Sequence, residues 1–171
     1  MMLKKLKKIG VSKNTLGLYI VNWVFHKILR INNRFSYLVH FTNKIASAQN
    51  VKLIGDGFNA QKCLFLNGNI YLGASNGISI HNSCIIANSV KIISGNHDFL
   101  DFDKESVKEK PIRIDKKCWL GAGSIILPGI HLKESTIVGA GAVVTKSFDQ
   151  SHIVIVGNPA RILKKIPGNE K

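Results

Sequence analysis

Few side chains in this sequence are placed to do chemistry. His81, His97, His131 and His152 follow one another at intervals of 16, 34 and 21 residues. None forms the close pair that a shared zinc site needs, so no metal is expected. Cys63, Cys84 and Cys118 are odd in number and contain no Cys-x-x-Cys pair. That excludes a disulfide framework and a zinc ribbon and fits a reducing compartment. With no Gly-x-Ser-x-Gly elbow and no cysteine directly beside a histidine, nothing prepares a covalent enzyme intermediate. His97 lies in the run Gly95-Asn96-His97-Asp98. A neutral imidazole accepts a proton near neutrality and can serve as a general base. A histidine at such a place can equally bond a loop carbonyl.

The elements that must position His97 are written as a repeat. From Ile114 the chain divides into IDKKCW, LGAGSI, ILPGIH, LKESTI, VGAGAV and VTKSFD. Ile114, Leu120, Ile126, Leu132, Val138 and Val144 lead the six units, and Cys118, Ser124, Ile130, Thr136, Ala142 and Phe148 take their fifth places. A period of six fits neither a 3.6-residue helix nor plain strand alternation, because turn-forming residues separate the aliphatics. It predicts short strands joined by corners and stacked as coils, each burying one aliphatic per strand along a common axis. The period extends upstream through Ile80, Ile86 and Ile92, while Leu72 and Ile78 keep it two residues out of phase. A small insertion is therefore expected between Ile78 and Ile80. Cys84 and Cys118 read as small apolar core residues.

One interruption, HDFLDFDKESVKEKP over residues 97–111, holds Asp98, Asp101, Asp103, Glu105 and Glu109, five of the ten acidic residues. A polar stretch that breaks a regular coil leaves the stack as an excursion loop, a common carrier of function.

The 171 residues suffice for one domain, and 45% hydrophobic with 20% charged residues is ordinary for a globular chain. The net charge of +14 is not ordinary, and residues 1–55 hold ten basic residues and no acidic one. Such a block suits an anionic partner: a membrane surface, a nucleic acid or a phosphorylated ligand. Residues 14–31 place Leu16, Tyr19, Ile20, Trp23, Val24, Lys27 and Ile28 at helical spacing, predicting an amphipathic helix that lies on a membrane, on its own coil or on a neighbouring subunit. No cleavage site for an export signal and no run of about twenty apolar residues is read here. The expected organisation is a basic helical segment over 1–55, a coil domain over 56–166 and a tail over 167–171.

The succession IISGNHDF, PIRIDKKCWLGAGSIILPGI, IVGAGAVVTKSF and VGNPARILKK resembles the hexapeptide-repeat acyltransferases, and within them the bacterial sugar and polysaccharide O-acetyltransferases. The resemblance implies a mainly β fold, a left-handed parallel β-helix, in a homotrimer with active sites between subunits. It implies acetyl-CoA as acyl donor, no metal, and direct transfer to a sugar hydroxyl of capsule, O-antigen or exopolysaccharide in the cytoplasm, at the inner face of the membrane. It puts the general base on His97, with Asn96 and Asn76 as candidate oxyanion donors, Asp98 as a partner of the base, and Asn76 and Asp101 as contacts to the acceptor. For acetyl-CoA it points to Gly121, Ala122, Gly139 and Ala140 along the pantetheine arm, to Lys146, Arg161 and Lys164 at the phosphates, and to Trp119 beside the groove. The coil openings IDKK, IHNS and LKES depart from the family's usual IGDN at outward corners.

A sugar-nucleotide N-acetyltransferase would use much the same base, and serine acetyltransferase usually carries a larger helical domain than 55 residues supply. The zinc-dependent γ-class carbonic anhydrases share the fold but need three clustered histidines. A non-catalytic scaffold at a membrane surface rests on the charge block alone, and base-reading or stacking motifs for nucleic acid are missing.

Overall fold

The computed structural model describes residues 10–98, 100–101 and 107–168. Lys4, Lys5, Lys7 and Lys8 of the basic block, and Asp103 and Glu105 of the loop, lie outside them.

Among the described residues thirteen strands wind as a three-sided parallel coil and a fourteenth pairs antiparallel at its end. The first sheet stacks β1 (Lys44–Ala46), β3 (Tyr71–Gly73), β6 (Lys91–Ile93), β9 (Ile125–Ile126) and β12 (Val143–Val144). The second stacks β2 (Val51–Ile54), β4 (Ile78–His81), β7 (Ile112–Ile114) and β10 (His131–Leu132). The third stacks β5 (Ile85–Ile86), β8 (Trp119–Leu120), β11 (Ile137–Val138), β13 (Ile153–Val156) and β14 (Arg161–Lys165). Register aligns the repeat: Leu72, Ile92 and Ile126 are successive partners in the first sheet, and Ile86, Leu120, Val138 and Ile155 in the third. All six leading aliphatics from Ile114 to Val144 are at most 2% exposed, each removal from water being worth about 1.5–3 kcal/mol. The fifth places from Cys118 to Ala142 are buried too.

Cys84 and Cys118 are core residues whose thiols bond the carbonyl oxygens of Asp115 and Lys133. The hydrogen bond to Cys84 and burial push the Cys118 thiol up, away from reactive thiolate. The two-residue insertion sits in β4, where Ile78 and Ile80 both point inward and pair with Val51 and Leu53 of β2.

The boundary expected at residue 56 falls inside the stack, because β1 and β2 pair in register with β3 and β4. A helix, α2 (Asn59–Leu66), stands on the third side of this first turn against β5. At the other end β13 turns back into β14, the antiparallel strand that closes the third sheet. Its five residues are exposed, Arg161, Lys164 and Lys165 among them, a charged edge that discourages strand addition.

The N-terminal helix is present in pieces: a 3-10 turn at Lys13–Thr15, α1 over Leu16–Trp23 and a π turn over Val24–Ile28. Its buried residues are polar. Asn22 donates from Nδ2 to the Phe65 carbonyl (3.2 Å) and accepts from the Phe41 amide (2.9 Å). His26 is 6% exposed, and burial, with Lys27 beside it, holds its imidazole below the usual range. Of the apolar stripe, Leu16, Ile20, Trp23 and Ile28 are exposed, while Tyr19 packs against the Phe65 ring. No described helix is long and apolar enough to cross a membrane.

Candidate active site

The corner between the first and second sheets is where the coil opens. Asn76 closes it by donating both Nδ2 hydrogens, one to the Ser94 carbonyl and one to the Val107 carbonyl, each at 2.9 Å. The Val107 amide in turn donates to the Asn96 carbonyl at 2.8 Å. The excursion is thus pinched at a neck between Asn96 and Val107, with His97 as its first residue. Buried Ser94 holds the near side, accepting from the Asn76 amide and donating to the Gly73 carbonyl. A Cβ at Gly95 would meet the Ser75 hydroxyl, which would have to turn away.

Asn96 and His97 emerge exposed into a cleft of about 250 Å³ lined also by Ser47, Tyr71, Ser75 and Gly95. An imidazole at the rim of an open cleft can exchange a proton with a group bound there. Asp98 Oδ1 accepts from the Leu100 amide at 2.9 Å, a local turn that shapes the start of the loop. Asp101 is half-buried further along and does not line this cleft. Asn76, expected as an oxyanion donor or acceptor contact, spends both its side-chain N–H bonds on the neck. Asn76→Ala removes two hydrogen bonds worth about 1 kcal/mol each. Chemical denaturation is expected to show a loss of about 1–3 kcal/mol, and amide exchange at Val107 should quicken.

Ser47, Tyr71 and Ser75 were not picked out from sequence. Their signal was the spacing of six between Ile45 and Val51, hidden because α2 replaces a strand in that turn.

The expected donor residues occupy a different edge, the corner between the third and first sheets. There Gly121-Ala122 and Gly139-Ala140 stack one above the other, the Gly121 amide donating to the Val138 carbonyl and the Gly141 amide to the Ala122 carbonyl, both at 2.8 Å. Gly121 is needed by the stack and not by a ligand: a Cβ would sit 2.7 Å from the Ala140 nitrogen and the Val138 oxygen. The freedom for close approach lies at Gly123 and Gly141, in left-handed turns with open space above them. With exposed Ala122 and Ala140 they make a flat ledge. Arg161, paired with Val156, stands at the end of this ledge and bonds the Ala160 carbonyl through Nη1. Lys164 pairs with Val154, nearer the far side of the sheet. Lys146 follows β12 on the His97 edge, two strands or about 10 Å along the stack, its ammonium 5.8 Å from the Phe148 ring. Trp119 is half exposed on the third sheet, paired with Ile85 and Ile137. A ledge without side chains that ends in a guanidinium fits a long thioester carrying phosphates. Within one chain, however, ledge and His97 lie on opposite edges of the first sheet. No group of three metal-binding side chains occurs among the described residues.

Residues 111–146 match the family model described as the hexapeptide repeat of succinyl-transferase. The chain is 30% identical over 105 residues to a galactoside O-acetyltransferase of Lactococcus lactis, covering 60% of this chain and 50% of that protein. It is 44% identical over 92 residues to a Dictyostelium discoideum protein provisionally named an acetyltransferase, covering 53% and 48%. The chain spans about half the length of the curated relatives it matches. Among solved structures, a hexapeptide-repeat acetyltransferase of Vibrio cholerae in complex with acetyl-CoA superposes with a TM-score of 0.56 at 19% identity, over 94% of this chain and 82% of that one. The N-acyltransferase AntD of Bacillus cereus, with dTDP and coenzyme A, gives 0.57 at 20% identity over 82% and 89%. The shared fold is the left-handed parallel β-helix.

Proposed function

We propose that the chain is a hexapeptide-repeat acyltransferase, a reading supported by the repeat match over residues 111–146 and by the acetyltransferase relatives, and that it transfers an acetyl group from acetyl-CoA to a sugar hydroxyl of a bacterial surface polysaccharide. The observation that carries this reading is His97 standing exposed at the loop neck and rimming a cleft. The reaction is direct. His97 takes the hydroxyl proton as the oxygen attacks the thioester carbonyl; the new C–O bond forms, the C–S bond breaks, and the imidazolium returns the proton to the departing thiolate. The negative charge that develops on the carbonyl oxygen calls for fixed donors. Asn96, beside the base, is placed to supply one, while Asn76 acts as a positioning residue that fixes the neck.

Acetyl-CoA is assigned to the ledge of Ala122, Gly123, Ala140 and Gly141, with its phosphates toward Arg161. Because ledge and His97 occupy opposite edges, the working unit is a ring of copies, a homotrimer, in which the ledge of one subunit approaches His97 of the next. Its place is the cytoplasm, at the inner face of the membrane, where lipid-linked sugar precursors meet the donor.

Thiol release from acetyl-CoA, measured across a panel of hydroxyl and amino sugars, tests the assignment. Release with hydroxyl sugars is expected. Release with amino sugars alone would move the reaction to nitrogen, and no release with either would withdraw it. Arg161→Ala is expected to weaken acetyl-CoA about tenfold, some 1.4 kcal/mol, by isothermal titration, whereas Lys164→Ala should change it much less.

A further inference from the structure

We propose that the outward face of α1 and of the π turn after it is a docking surface for an anionic lipid bilayer. Tyr19 and Phe25 of this helix pack inward on Phe65 and Phe41, but much of its apolar surface is turned outward. Leu16, Ile20, Trp23 and Ile28 are 52%, 54%, 43% and 61% exposed, while Asn22 and His26 are buried. A surface helix ordinarily buries its apolar stripe. Here the helix cannot roll to do so, because the Asn22 side chain is pinned on both sides, to the Phe65 carbonyl and the Phe41 amide. The exposed stripe is therefore built into the fold and needs a cover from outside.

Charge selects the cover. Lys13, Lys27 and Arg30 border the stripe, all exposed, and no Asp or Glu occurs anywhere in residues 1–55. A second copy packing its own stripe here would bring a like-charged border from a chain of net charge +14. A bilayer containing acidic headgroups offers both an apolar layer and negative charge. Eight residues of α helix, even with the five of the π turn, fall short of the roughly twenty needed to span a membrane. The helix would lie in the interface, with Trp23 at headgroup depth, as amphipathic rings prefer. It stands at the first-turn end of the stack, over α2, away from the ledge and β14. Docking is thus independent of acetyl transfer and can fail without it.

The test is sedimentation of the full chain with vesicles of phosphatidylcholine alone or with 30% phosphatidylglycerol (about a third, enough for an anionic surface). Wild type is compared with Ile20→Ser/Trp23→Ser and with Lys13→Gln/Lys27→Gln/Arg30→Gln. Binding to the mixed vesicles only, weakened by salt, is expected. The first variant should lose at least about tenfold, since two buried apolar side chains are removed. The second should lose about fivefold for each cation removed. Melting temperature and mass by light scattering should stay those of the wild type. No wild-type binding, or variants that bind as well as wild type, would overturn the proposal. A smaller mass for the serine variant would overturn it in favour of a second copy as the cover.

Discussion

Replacing His97 with alanine is expected to lower kcat for acetyl transfer by about 10²–10⁴, the usual contribution of a positioned general base. Affinity for acetyl-CoA should stay unchanged, because no ledge residue is touched. The side chain is exposed at the loop neck, so the melting temperature should also stay within a degree or two of wild type, the change in ΔG being about 0.5 kcal/mol or less. A further readout separates proton transfer from structure. Free imidazole added to the alanine variant should restore part of the rate if the missing group is a base, and should do nothing if His97 only shapes the loop. A variant with wild-type kcat would move the base elsewhere; His81 and His131 sit outside this cleft, with His131 held by Asp115 at 2.9 Å.

The second large effect is on folding. Leu120→Ala removes an aliphatic that is 0% exposed, held in the third sheet between Ile86 and Val138. A loss of about 2–5 kcal/mol is expected, from lost transfer energy and the cavity left behind. Its neighbour Trp119 is larger but 48% exposed, and Trp119→Ala should cost much less. Adjacent residues with opposite costs are the signature of a strand with one face inward, and urea denaturation of the two variants reads it directly. Because each coil touches only its neighbours, the Leu120 defect should weaken both interfaces it joins.

What the repeat could convey was the coil itself. A buried aliphatic every six residues dictates strand, corner, strand, and the phase slip at Ile78 and Ile80 revealed an extra inward-facing pair. The excursion was equally readable, because five acidic residues cannot enter an apolar stack. Part of the site was legible by the same arithmetic: Gly121, Gly139 and Gly157 are 18 residues apart, one full turn, and so share an edge. Lys146 is out of that phase and falls on the edge of His97. The first turn stayed hidden, since α2 replaces a strand and no period crosses it. The exposed face of the N-terminal helix was hidden for a different reason. Helical spacing identifies a stripe, but the choice of face was made by two hydrogen bonds between the Asn22 side chain and backbone groups 19 and 43 residues away, one accepted from the Phe41 amide and one donated to the Phe65 carbonyl. Asn76 likewise showed a polar residue at a corner and not the Val107 carbonyl that claims it.

That the chain takes acetyl-CoA as its acyl donor can be tested without knowing the acceptor. Thermal and chemical stability of the wild type would be followed while acetyl-CoA is titrated in. At one hundred times its dissociation constant the ligand should add about 2.7 kcal/mol to the folded state, rising along a single-site curve that Arg161→Ala shifts to higher concentration. A stability unchanged up to millimolar acetyl-CoA would contradict a donor site, leaving a β-helix with a cleft and no acetyl group to deliver to it.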